Sequence, residues 1–247
     1  MYIPAERFLI SAISDSLLGL IRNQVALPKS ITDFGADYEI ARKNISELKI
    51  VSLNLTFKHE NGRDRVYFND NQSISLSESS SGCQSLIPLN VYIEYFNRQK
   101  LYNHSFIIEE PELNLYPITQ KELIYYLANR CTKEQDKLLM TTHSPYILAA
   151  LNNLIFAYKI AQKHPDKADE VAKIVPRESW LNPDDFAAYF VADGTARAII
   201  NPKTGMIAEN ELDGVSEDFK IEFDELVEIY RLPVHETVYW NRISTSY

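Results

Sequence analysis

The chain has 247 residues, of which 45% are hydrophobic and 24% charged, with a formal net charge of -9. That length can bury a sizeable core as one domain or two, and the acidic balance makes the surface as a whole a poor non-specific ligand for nucleic acid, a local basic patch aside. No apolar run approaches the ~18 residues that a bilayer span needs. The two cysteines, Cys83 and Cys131, cannot build a disulfide framework or a zinc site, and the opening residues lack the basic flank of a secretion signal, so the reading is a cytoplasmic protein with no membrane partner.

Residues 5–23 read as an amphipathic helix, because Ile10, Ile13, Leu17 and Ile21 recur at helical spacing behind Pro4. A second helix is expected over about 30–45. Residues 51–58 alternate polar and apolar side chains, the pattern of a half-buried strand, and Asn61-Gly62 marks a hairpin turn before a return strand over 65–69. A serine-rich loop, Ser77 to Ser85, runs into a helix expected from Gly82 to about Gln99. Short apolar strands at 106–108 and 137–142 then alternate with helices over about 117–130 and 145–162. Such alternation predicts a parallel α/β core flanked by helices. Beyond about 165 the chain becomes more polar, with a hairpin expected over 187–208 around a turn at Pro202 to Gly205 and a last helix over about 216–231. Two regions follow: a core over 1–165 and a small α+β appendix over 166–247.

Three stretches carry chemistry. Phe106 to Ile108 ends in Glu109-Glu110-Pro111-Glu112, which places adjacent carboxylates at the carboxyl end of a strand, where α/β sheets put ligands. Two acids there repel each other unless a cation such as phosphate-bound Mg²⁺ sits between them; a solvated acidic turn is the plain alternative. Leu138 to Thr142 ends in His143-Ser144-Pro145, where an imidazole could donate to a phosphate oxygen. The plain alternative is a capping turn with Ser144 as cap. Ser80-Ser81-Gly82-Cys83-Gln84 opens a helix with small residues and hydroxyls, which suits an anion, or forms merely a capped serine loop.

In this order and at these separations the three stretches resemble the head of an ABC-type ATPase, in the wording used by the RecF, SMC and OLD-like ATPases. The opening Tyr2-Ile3-Pro4-Ala5-Glu6-Arg7 also resembles a segment found mid-chain in bacterial ATPases of that group. The resemblance covers roughly residues 1–160 and implies a P-loop NTPase-like fold. It implies that Ser80, Ser81, Gly82 and Gln84 belong to the signature that contacts ATP, that Glu109 is the magnesium-side acid, that Glu110 is the catalytic base and that His143 is the switch histidine. There are departures: Glu109 replaces the usual aspartate, Cys83 replaces a second signature glycine, and Asn114 and Tyr116 stand where relatives often carry histidines.

No phosphate-binding loop is found. None of the seven glycines (19, 35, 62, 82, 194, 205 and 214) precedes a Lys-Ser or Lys-Thr pair at the required spacing. The resemblance therefore implies the part of an ATPase after its Walker A loop, with ATP and Mg²⁺ as cofactors of the complete enzyme and neither held tightly by this chain alone. Its implied partners are ATP, a second head or a lobe bearing the P-loop, and, through the complete assembly, nucleic acid. Two other readings stand beside it: a non-catalytic scaffold that keeps the fold, and a metal-dependent nuclease built on Glu109, Glu110 and His143.

Overall fold

A computed structural model describes residues 1–13, 22–69, 71–99, 103–208 and 211–230. The chain forms two compact units, Met1–Ala208 and Glu209–Tyr247. In the first, β1 (Tyr2–Ile3) passes through a 3-10 turn into α1 (Phe8–Ala12). Then come α2 (Lys29–Asn44) and an antiparallel meander of β2 (Glu47–Ile50), β3 (Leu55–Glu60), β4 (Arg63–Asn69) and β5 (Gln72–Ser75). The chain continues through α3 (Ser81–Arg98), β6 (Ser105–Glu109), α4 (Pro117–Cys131), β7 (Lys137–Thr141), α5 (Pro145–Lys163) and the short α6 (Ala168–Ala172), and closes the unit with a hairpin, β8 (Tyr189–Ala192) and β9 (Thr195–Ala198). The second unit contributes α7 (Glu211–Tyr230).

The organising element is a parallel sheet in the order β1-β6-β7, in register Tyr2 with Ile107 and Ile107 with Leu139. The short apolar strands and the intervening helix dictate parallel pairing, since a strand-helix-strand crossover returns the chain in the same direction. Period-2 alternation divides each strand between two faces. On one face Ile3, Phe106 and Ile108 are fully buried, with Leu138 and Met140 packed beside them. On the other, Tyr2, Ile107 and Leu139 are 40%, 38% and 57% exposed. The core centres on α3, which is buried through Leu86, Ile87, Leu89, Val91, Tyr92 and Ile93; a helix apolar on every side must be surrounded.

The α/β architecture agrees with the sequence, but several local expectations do not. Of the helix expected over 5–23, Ala5–Arg7 is a 3-10 turn and Phe8–Ala12 is helical; 14–21 lie outside the described residues. The strand expected over 51–58 begins only at Leu55, because Val51–Leu53 turns and Asn54 takes a left-handed φ of 51°. That conformation, which asparagine tolerates, closes a tight hairpin to β2, a strand that the alternation conceals by running on through the turn. β5 is a further strand that the sequence pattern does not announce. The C-terminal hairpin turns at Asp193 and Gly194, both at positive φ, and the expected turn near Pro202 closes a further bridge between Ile200 and Ile207. The compact units divide after Ala208. Residues 166–208 are tied to the core by Ser179 Oγ donating to the Tyr125 carbonyl (2.8 Å) and by two hydrogen bonds between Asn152 and the Ile207 backbone (2.8 and 3.0 Å).

Candidate functional site

β6 ends at Glu109, opposite Thr141 at the end of β7, so parallel pairing brings the double acid and the Thr-His-Ser turn side by side. Pairing runs one residue further: the Glu110 N–H donates to the Thr141 carbonyl at 3.1 Å. Beyond it the chain turns sharply, with the Leu113 N–H donating to the Glu110 carbonyl (3.1 Å) around Pro111, whose fixed φ suits a turn. Glu110 itself sits at φ 39°, a region disfavoured for a non-glycine residue. This conformation aims its carboxylate at His143, with Oε1 3.7 Å from Nε2. The His143 side chain is 82% exposed and that of Glu110 34%, so the imidazole faces solvent while the carboxylate is partly covered.

Glu112, two residues on, anchors the opposite turn. Its Oε1 accepts from Thr142 Oγ1 (2.7 Å) and from the His143 N–H (2.9 Å), while Oε2 is buried without a partner. Ser144 caps α5 by accepting from the Tyr146 N–H (3.2 Å), and its hydroxyl donates to Gln120 Oε1 (2.6 Å). The capping role of Ser144 and the placement of His143 beside Glu110 are thus compatible uses of one turn.

Beneath this turn lies Arg7, fully buried. Nε donates to the Ser85 carbonyl (3.2 Å), Nη1 to those of Pro4 (3.2 Å) and Glu109 (3.0 Å), and Nη2 to those of Glu110 (3.2 Å) and Pro111 (3.0 Å). All five guanidinium N–H groups are satisfied. Burial lowers its pKa from 12.5 to about 10, opposed by the nearby charges of Glu112 and Glu110, so Arg7 stays cationic at neutral pH. It fixes the backbone of Glu109 to Pro111 against Ser85 of α3. Sequence reasoning noted Arg7 and Glu112 but gave neither a role. A lone arginine after a turn carries no periodic signal, and its burial follows mainly from contacts 78 to 104 residues away.

Glu109 emerges on the exposed face of the sheet, where the Tyr2 hydroxyl hydrogen-bonds to its carboxylate. The bond and the charge of Glu109 push the Tyr2 pKa up to about 12. Carboxylate oxygens suit Mg²⁺, which is usually held by one or two of them together with phosphate oxygens and water. Among the described residues no group of three or more His, Cys, Asp or Glu could hold a metal. The Glu109 carboxylate is of the kind that could serve as one ligand of such an ion, with phosphate oxygens and water as the others.

The serine loop lies on the other side of this turn. Ser80 caps α3, its Oγ accepting from the Cys83 N–H at 3.3 Å, and Ser80 and Ser81 are exposed. Gln84 is turned back into the loop: its amide donates to the Ser77 and Ser79 carbonyls, both at 2.9 Å, so this side chain shapes the loop. A Cβ on Gly82 would stand 3.0 Å from the Asn114 carbonyl, so glycine allows α3 to pack closely against the turn that follows the acids. The loop and the acids are thus neighbours in the fold, joined through Gly82 and Arg7. A cavity of about 290 Å³ lined by Lys49, Lys58, Tyr67 and Phe68 among others lies on the antiparallel sheet and contains none of these residues.

Among the described residues no helix is long and apolar enough to cross a membrane. No curated protein matches the chain. A solved structure from work on "ATP-driven dimerization and DNA stimulated activation of SMC ATPases" is similar at 8% identity and a TM-score of 0.39, covering 77% of this chain and 96% of that one. A family model described as AAA ATPase domain matches residues 13–148. That span is more than half of the chain and includes the serine loop, both acids and His143, and the protein belongs to the AAA ATPase domain family.

Proposed function

We propose that this chain is the signature-to-switch part of an ABC-type ATPase head of the RecF, SMC and OLD-like group, working in the cytoplasm and completed by a lobe that carries the phosphate-binding loop. The observation that carries the reading is the 3.7 Å approach of Glu110 to His143 at the ends of adjacent parallel strands. ATP bound there would meet Glu109 through Mg²⁺, which supplies charge neutralisation to the phosphates when bound. Glu110 would polarise the attacking water and His143 would hold the terminal phosphate. Rigid placement of these groups would provide most of the effect. Ser81 and Gly82 would serve the nucleotide of a second head, so hydrolysis would require two heads, and nucleic acid would engage the complete assembly.

Two measurements test this. The isolated chain should hydrolyse ATP at background, whereas a chain supplied with a phosphate-loop lobe should turn it over and lose activity in Glu110→Gln. Light scattering should show ATP-dependent dimerisation of the completed head, blocked by Ser81→Arg. Turnover indifferent to Glu110→Gln would refute the assignment of the base, and dimerisation indifferent to Ser81→Arg would reduce the serines to a loop.

A further inference from the structure

We propose that the outer face of the antiparallel meander is a binding site for a single nucleotide, a flat base joined to a phosphate. The site is the cavity of about 290 Å³ on β2, β3 and β4; it is separate from the acids and does not depend on the ATPase reading.

Strand geometry builds the walls. Alternation turns Ile50, Phe57 and Val66 inward, where each is fully buried. It turns Lys49, Thr56 and Tyr67 outward as a row of cross-strand neighbours, with Glu47 and Lys58 side by side in the next row. Strict alternation would bury Phe68 as well. Instead the register slips by one residue, since Tyr67 stands opposite Ser73 but Asn69 opposite Gln72. A bulge of this kind re-aims a side chain, and Phe68 is 50% exposed and lines the same cavity as Tyr67. Its half-exposed ring is a surface on which a base can stack.

The polar groups divide into those already used and those left over. Lys58 Nζ lies 3.2 Å from Glu47 Oε2 and 5.3 Å from the centre of the Tyr67 ring. Asn69 donates to Gln72 Oε1 (2.9 Å) and accepts from the Asn71 N–H (3.0 Å). These contacts hold the walls in place. Lys49, the Asn54 amide and the Thr56 hydroxyl also line the cavity, and among the described residues they have no partner. With Glu47 held by Lys58, Lys49 is a cation that no acid of this face neutralises, which suits a phosphate. The Asn54 amide can donate and accept along the edge of a base.

Size decides among occupants. Ligand pockets begin near ~300 Å³, so this cavity admits one nucleotide and not a run of them. An inorganic anion would use Lys49 and leave the Phe68 ring and the Asn54 amide without a role.

The test titrates the full chain with adenosine monophosphate, uridine monophosphate, inorganic phosphate and a single-stranded oligonucleotide, read by calorimetry and by backbone amide NMR. At least one mononucleotide should bind about tenfold more tightly than inorganic phosphate, as one stacked base implies, with amide shifts centred on residues 47–69. Lys49→Glu should weaken that binding by about tenfold or more, and Phe68→Ser by about fivefold or more while leaving the weak binding of phosphate unchanged. Lys203→Glu, the same change of charge on an exposed turn outside the cavity, should have no effect. Circular dichroism checks that the variants fold, and Lys49→Glu at its exposed position carries the test should Phe68→Ser disturb the strand. No binding of either mononucleotide, shifts centred on 105–112 or 141–144, or indifference to Lys49→Glu would overturn the site. So would inorganic phosphate binding as tightly as the nucleotides, the mark of an adventitious ion only, or an oligonucleotide that binds where mononucleotides do not.

Discussion

Replacing Arg7 by methionine should be among the most damaging single changes outside the apolar core. The side chain is 0% exposed and its five N–H groups reach five carbonyls in three segments: the opening turn, α3 at Ser85, and the loop from Glu109 to Pro111. Hydrogen bonds to a charged group contribute about 1.5–3 kcal/mol each before desolvation is counted, and burial of the cation offsets much of that sum. The depressed pKa of about 10 reports that burial cost. Removing one side of a buried charged network typically costs about 3–5 kcal/mol, because the partners stay behind unpaired. A loss of about 3–4 kcal/mol is therefore expected for Arg7→Met, a large share of the ~5–15 kcal/mol that holds a domain together. Arg7→Lys keeps the charge but offers three donors where five are used, and should lose roughly 2 kcal/mol. Urea unfolding of the full chain followed by circular dichroism measures both losses, and hydrogen exchange at Glu110 and Ser85 shows whether the two segments loosen together. An Arg7→Met chain within about 1 kcal/mol of the parent would refute the claim that this guanidinium binds the acids to the serine loop.

Gly82→Val should cost roughly 1–3 kcal/mol by crowding the Asn114 carbonyl, which a Cβ already meets at 3.0 Å, and should raise amide exchange over 112–115; unchanged stability in urea would show that the turn yields freely. The Tyr2 hydroxyl titrates near pH 12 in the folded chain, against an ordinary tyrosine value of 10.0. Its contribution is therefore complete below about pH 10 and lost as pH rises through about 12; Glu109→Gln should move the ¹³C NMR titration of Tyr2 back toward the ordinary value. Cys131 is fully buried, and desolvation raises its thiol pKa well above the usual range. A thiol reagent should therefore modify it only as the chain unfolds, and fast reaction in the native state would contradict the packing around α4.

The sequence by itself determined the class of fold and the chemistry of three segments. Short apolar strands separated by helices admit few arrangements other than a parallel sheet, and the Glu109-Glu110 and Thr142-His143-Ser144 runs had to fall at strand ends because apolar residues stop there. These are local signals, set by backbone sterics and by where polarity begins. What only the tertiary structure decided is non-local. That Glu110 and His143 stand at the ends of parallel strands follows from the alternation, but the 3.7 Å between them is set by β6 and β7 pairing as neighbours in register. The chain order does not say that Arg7 fastens a loop about 100 residues away or that Glu112 orients the backbone of His143. A turn decided the start of β3, where Asn54 adopts a left-handed conformation that alternation cannot reveal. The exposed row of Tyr2, Ile107 and Leu139 is hidden for the same reason: each looks like an ordinary buried strand residue until the sheet shows which of its two faces the described helices of the first unit cover.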